Sequence, residues 1–300
     1  MRVAGVARPF ILGPSPTTCM QRDPDLSFTF RPSCQARLAD TDFTTNALGL
    51  RGDELREDRP FRILALGDSS TWGWGAAQHE SYPAVLQHLL DLNKGPRFEV
   101  INAGVPGYTS YQGLTWLKRY GLALKPDLVI IGFGFNDGSP GGNIEEKIAA
   151  ERRHAVLLKI DDWLTYRSVA WSWARTRFRG EAAPGHGAPR VSVERFADYL
   201  RTIVDVSRAA GAEVLLISFL PEWGAAAIGG SDGPYVQALH EVAEAEHTPL
   251  LVYRGPRLDV IHPTPIGYGM FARRIFDALP IPPEVAAAPP VAAVANSPPP

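Results

Sequence analysis

The sequence predicts an α/β domain built on a parallel sheet, and three observations carry that expectation. Short apolar runs recur at 63–66, 100–101, 128–131, 214–217 and 250–253. They are partly β-branched and do not alternate, the pattern of strands buried on both faces. Amphipathic stretches of helical length separate them, and alternating strands and helices give a parallel sheet with right-handed crossovers. Finally, glycines and polar residues gather directly after the runs, at the carboxyl ends of strands, where open sheets of this kind bind ligands.

Length and composition narrow the function classes. Three hundred residues with 45% apolar content suit a globular protein, and a formal net charge of −2 gives no basic footprint for nucleic acid. No Cys/His cluster has zinc-ligand spacing, and no run of about 18 apolar residues suggests a spanning helix. The first residues carry a charge but too short an apolar stretch for a signal peptide, so the sequence taken literally reads as cytoplasmic, and export would need a different start. Cys19 and Cys34 form one disulfide in an exported protein and free thiols in a cytoplasm.

Residues 1–58 read as an irregular arm, because Pro9, Pro14, Pro16, Pro24 and Pro32 oppose regular structure. Asp25-Leu26-Ser27-Phe28-Thr29-Phe30 alternates and is the one strand candidate there. Arg51 follows a turn-rich stretch around Leu48 and Leu50 and reads as part of a structural arm rather than as a substrate ligand. The main domain covers 59–279. Its helices are expected at 81–92, at 110–120 with Gly121 as a stop, at 193–210, from about Pro234, and from Pro263-Thr264-Pro265 to about Leu279. Residues 139–190 interrupt the alternation with a helical insertion placed near the site, its second helix expected over 162–179. There Trp163, Tyr166, Ala170 and Trp173 share one face, with Arg167, Arg175, Arg177 and Arg179 close by. The first reading is that the aromatics pack on the domain. Membrane-surface contact through 163–179 is the less favoured one. Residues 280–300 are alanine and proline with almost no charge and are expected to be a disordered tail.

Four strand ends carry the chemistry. Gly67-Asp68-Ser69 follows the first run, Asn102-Ala103-Gly104-Val105-Pro106-Gly107 the second, Gly134-Phe135-Asn136-Asp137 the third, and Asp259-Val260-Ile261-His262-Pro263 the last. Parallel strands share one carboxyl edge, so a serine, a glycine N–H, an asparagine amide and an Asp/His pair converge, a set suited to acyl transfer.

In these four blocks, and in their order, the sequence resembles the SGNH branch of the GDSL-type esterases and lipases over roughly 44–278. The resemblance implies a three-layer α/β/α sandwich with a parallel sheet of about five strands in the flavodoxin-like arrangement. It implies a serine hydrolase that cleaves carboxylic esters through an acyl-enzyme on Ser69, with His262 as base and Asp259 orienting it. The implied oxyanion donors are the backbone N–H groups of Ser69 and Gly104 and the side-chain amide of Asn136. Ser70 stands where family members usually carry an apolar residue and competes for the nucleophile role on composition; the family register selects Ser69. Asp68 and Asp137 are expected to support their turns. No metal or organic cofactor is called for, and the substrate is a small-molecule, glycan or lipid ester. The alternatives are an O-acyltransferase acting on a polysaccharide and a non-catalytic binding domain on the same fold.

Overall fold

The computed structural model describes residues 19–167, 187–220 and 233–279. Five parallel strands form the central sheet: β5 (Phe61–Gly67), β6 (Phe98–Gly104), β7 (Leu128–Gly132), β8 (Glu213–Ser218) and β9 (Leu250–Val252). They lie in the order β6-β5-β7-β8-β9. The first strand of the sheet therefore sits between the second and the third, which is the flavodoxin-like order.

Alternation along each strand distributes the apolar residues between two cores. Phe61, Ile63 and Ala65 of β5 join Phe98, Leu128, Ile130, Leu215 and Ile217 against α2 (Tyr82–Lys94) and the last helix, α9 (Pro265–Ala278). Leu64 and Leu66 join Ile101, Ala103, Val129, Ile131, Val214 and Leu216 on the opposite face. That face is covered by α3 (Ser110–Trp116), α7 (Val193–Ala209) and α8 (Pro234–Ala245). The result is the expected α/β/α sandwich. A fully buried leucine or isoleucine in such a sheet contributes about 1.5–3 kcal/mol, so each run is self-consistent with its place.

Helix starts follow local chemistry. Ser192 accepts from the N–H of Arg195 at the head of α7, and Thr264 accepts from the N–H of Gly267 at the head of α9. The expected helix over 110–120 is α only as far as Trp116; Leu117–Gly121 widens into a π turn and Leu122–Leu124 tightens into a 3₁₀ turn. Of the expected start at 231–234, Gly233 is the cap, and residues 231–232 lie outside the described residues.

The arm is not irregular where it is described. It forms two antiparallel hairpins, β1 (Met20–Asp23) with β2 (Ser27–Phe30) and β3 (Gln35–Leu38) with β4 (Thr41–Thr44). Pro24 falls in the first hairpin's turn, where Asp23 Oδ1 accepts from the N–H groups of Asp25 and Leu26, and Pro32 falls between the hairpins. Prolines thus punctuate the strands instead of excluding them. A Cys19–Cys34 disulfide ties the hairpins together. Phe30 and Phe43 pack on Trp72, and Arg51 lies 4.0 Å over the same ring.

The insertion opens and closes on itself. Pro140 bridges to Pro189, and the N–H groups of Gly141 and Gly142 both donate to Ala188 O. Inside it are α5 (Ile144–Arg153), capped by Asn143, and α6 (Ala155–Arg167). α6 begins seven residues before the expected start at 162, and Asp162 pairs with Arg22 of the arm at 2.6 Å. Trp163 is half-exposed. Residues 168–186, with Trp171, Trp173 and the arginines at 175, 177 and 179, lie outside the described residues, as do 1–18 and the tail 280–300.

Candidate active site

Ser69 opens α1 (Ser69–Trp72), a single turn at the end of β5. The chain leaves β5 for a neighbour on one side and later returns to one on the other, so Ser69 stands at the topological switch point. Asp68 is the N-cap of this turn and accepts from the N–H of Ser70 at 2.9 Å. Ser70 is fully buried and its Oγ has no hydrogen-bond partner among the described residues, whereas the hydroxyl of Ser69 reaches His262. Arg51 fixes the following segment by donating to the carbonyls of Trp72 (2.6 Å), Gly73 (2.9 Å) and Ala76 (2.8 Å). Its role is structural, as its sequence context suggested.

Ser69 Oγ lies 2.8 Å from His262 Nε2, and His262 Nδ1 lies 2.6 Å from Asp259 Oδ2. An ionised carboxylate only accepts, so Nδ1 carries the proton and Nε2 is left to accept from the serine hydroxyl. The other oxygen, Asp259 Oδ1, accepts from the backbone N–H groups of Ile261 and His262, both at 2.9 Å. Burial disfavours the charged form of Asp259, but the bonds from the His262 ring and from the two N–H groups outweigh it and hold the carboxyl below its ordinary range. Burial likewise pushes the imidazolium of His262 down. Asp259 pulls it back only in part, so the ring stays below its ordinary 6.5 and is neutral at pH 7. The loop that carries the pair is tied down by Arg257, which donates to Phe219 O at 2.8 Å and Ile261 O at 2.7 Å, and Trp74 stacks on the His262 ring with centroids 5.4 Å apart.

Asn136 sits in α4 (Phe135–Gly138), a short turn after β7, and its Nδ2 donates to Asp68 Oδ2 at 3.3 Å. That bond leaves the second amide proton of Asn136 available. Asp68 itself is buried, and desolvation raises its pKa to about 7 despite the bond from Ser70. Asp137 is buried beside it and accepts from the N–H (2.9 Å) and Oγ (2.6 Å) of Ser110, which anchors the turn. Desolvation lifts its pKa to about 6.

The glycine donor is where structure and sequence reading part. Gly104 is the last residue of β6, paired with Gly67, and its N–H donates to Asn102 Oδ1 at 3.1 Å. A Cβ there would meet Trp72 N at 2.2 Å, so the residue is glycine because α1 packs onto it. Three residues on, Gly107 has φ +86°, and among the described residues its N–H has no protein acceptor; the same holds for the N–H of Ser69. Of the two glycines, Gly107 is the one whose N–H is left without a protein acceptor among the described residues. Trp74, Arg257 and Asn102 were not singled out from the sequence as site residues, because only the contacts formed across the fold give them a part in it.

Fold and site together define an α/β protein of flavodoxin-like strand order with a Ser-His-Asp constellation at its switch point. The description of the GDSL-like Lipase/Acylhydrolase family matches residues 65–270, well over half of the chain, and the chain belongs to that family. It is similar to an arylesterase of Vibrio mimicus, 38% identical over 80 residues, which is 27% of this chain and 40% of the relative. It is also similar to esterase TesA of Pseudomonas aeruginosa, 32% identical over 108 residues, 33% of this chain and 53% of the relative. The chain thus spans about half the length of the curated relatives it matches. Among solved structures, that of TesA aligns at 23% identity with a TM-score of 0.48, covering 73% of this chain and 98% of the other.

Proposed function

We propose that the chain hydrolyses carboxylic esters through an acyl-enzyme on Ser69. The observation that carries this reading is the continuous chain of bonds from Ser69 Oγ to His262 to Asp259. His262 Nε2 takes the proton as Oγ attacks the ester carbonyl. The negative charge that develops on the carbonyl oxygen is met by the N–H of Ser69, the free amide proton of Asn136 and a loop N–H, for which Gly107 is favoured over Gly104. Collapse breaks the bond to the leaving alkoxide, which receives the proton from His262. Water then repeats the sequence on the acyl-enzyme, releasing the acid and restoring Ser69.

The names of the relatives make small aryl and alkyl esters the first substrates to try. The Cys19–Cys34 disulfide favours work in an oxidising compartment. Among the described residues no helix is long and apolar enough to cross a membrane. The test is a series of p-nitrophenyl esters of increasing acyl length with the wild type and Ser69→Ala. Hydrolysis that disappears in Ser69→Ala supports the reading, and equal rates in the two proteins reject it. The position of the maximum along the series assigns the acyl class.

A further inference from the structure

We infer that Arg190 is a positioning residue for the oxyanion side of this site, holding the Gly107 loop and the Asn136 turn in one arrangement and tying both to the insertion. The inference rests on the ester-hydrolase reading above. Arg190 lies where the chain returns from the insertion. Its backbone N–H donates to Ser139 O at 3.1 Å, and the next N–H, of Val191, donates to Asp137 O at 3.1 Å. The returning segment is thereby laced to the residues directly after Asn136.

The side chain then reaches the other donor. Its stem lies over Gly141, where an added Cβ would come within 3.1 Å of Arg190 Cγ. Nη1 donates to Gly107 O at 2.8 Å, and Nη2 reaches Gln112 Oε1 at 3.4 Å. Gln112 Oε1 also accepts from the N–H and hydroxyl of Thr109, and its Nε2 donates to Leu26 O, so the amide is itself fixed. Asp137 adds a charge argument. Its Oδ1 is taken by Ser110, its Oδ2 has no partner among the described residues, and the positive charge that acts on it is Arg190.

A glycine at φ +86° has no Cβ to hold its peptide planes and moves between basins at little cost. The peptide that follows Gly107 is held on its N–H side by Tyr108 donating to Val105 O at 3.1 Å, and on its carbonyl side by the charge-assisted bond from Arg190; together they fix one side of the soft Gly107 Cα, from which the Gly107 N–H projects on the other. A guanidinium can serve Gly107 and Gln112 at once because its donors are fixed in a fork, whereas a lysine ammonium reaches one of them. The Arg190 side chain spends its bonds on Gly107 O and Gln112 and acts on the ester only through the donors it positions, so its loss should appear in kcat and not in KM.

The experiment compares Arg190→Ala and Arg190→Lys with the wild type on p-nitrophenyl acetate, with melting temperatures alongside. Arg190→Ala is expected to lose roughly 10–100-fold in kcat, the scale of a small misplacement of a catalytic group, with KM nearly unchanged. Arg190→Lys should fall between the two, and guanidinium at sub-denaturing concentration should restore part of the rate of Arg190→Ala. The initial rate of fluorophosphonate labelling at Ser69 should drop in parallel. If Arg190→Ala does not fold, Arg190→Lys alone decides by the same split between kcat and KM. Wild-type kcat in these variants, or a loss that follows melting temperature and KM and that neither lysine nor guanidinium relieves, overturns the inference. A wild type that neither hydrolyses esters nor labels at Ser69 instead overturns the hydrolase reading beneath it.

Discussion

Replacing Asp259 by asparagine should be more damaging than replacing it by alanine, and the reason lies in the two backbone donors on Oδ1. The N–H groups of Ile261 and His262 both point at that oxygen from 2.9 Å, so an asparagine amide will place its oxygen there. Its NH₂ group then faces His262 Nδ1, where the carboxylate oxygen stood at 2.6 Å. A donor facing Nδ1 moves the ring proton to Nε2, and Nε2–H cannot take the proton of Ser69 Oγ. The wrong tautomer of a triad histidine costs up to about 10⁴ in rate. Since the Asp259 side chain is 47% exposed, water screens the part of its role that stabilises the imidazolium, and the tautomer effect dominates. The expected loss in kcat/KM is on the order of 10³–10⁴, or about 4–5.5 kcal/mol of barrier. Alanine leaves a half-exposed gap in which water can accept from Nδ1, so Asp259→Ala should retain more activity. The pH profile gives a second readout. His262 must be neutral to act, burial already holds its pKa below 6.5, and Asp259 is the main influence raising it. The acid limb of kcat/KM should therefore have its midpoint below 6.5 in the wild type and move lower still in Asp259→Ala. Steady-state kinetics of the three proteins between pH 4 and 9 decide the matter. Asparagine within tenfold of the wild type, alanine worse than asparagine, or an acid limb that moves upward would refute the reasoning.

Other expectations follow from single contacts. Asn136→Ala should lose about 10²–10³ in kcat, the usual cost of one oxyanion donor, and full activity would remove it from that role. Asp68 is buried with its pKa raised to about 7, so its contribution to stability is full below about 3.8 and is lost as pH rises through about 7. Asp68→Asn cannot ionise, and its melting temperature should fall less than that of the wild type between pH 5 and 8. Identical slopes in the two proteins would contradict this. The Cys19–Cys34 bridge closes a loop with a sequence separation of 15, so replacing both cysteines by serine should cost about 3 kcal/mol of stability in chemical denaturation. Reductant should lower the melting temperature of the wild type and leave the double-serine variant unmoved.

The sheet was legible in the sequence because strands buried on both faces are contiguous apolar runs that need no partner to be recognised. Leu128 to Gly132 is buried at every position, and its run reads the same in sequence and in space. The arm was not legible for the opposite reason. Its strands are four residues each, and they depend on contacts that no local pattern displays: the Cys19–Cys34 bridge, Tyr108 donating to Phe28 O at 2.6 Å, and Gln112 donating to Leu26 O at 2.7 Å. At the candidate site the residue types were visible at their strand ends, and the structure brings Ser69, His262 and Asp259 within bonding distance. Which glycine offers a free N–H was not visible, because it turns on a side chain two residues away, Asn102, reaching back to Gly104. Trp74 on the histidine ring and Arg257 under the histidine loop become apparent only when segments about 190 and 40 residues apart in sequence meet.

The measurement closest to the central claim is the site of covalent labelling by a fluorophosphonate, read by peptide mapping. Such a probe reacts with a serine only when a base activates it and donors stabilise the charged adduct. Ser69 has His262 at 2.8 Å, while Ser70, its neighbour, is buried with its hydroxyl facing no partner among the described residues. The adduct should form on Ser69, be absent from His262→Ala and be retained in Ser70→Ala. An adduct on Ser70, or a folded protein that takes up no label at all, would contradict it.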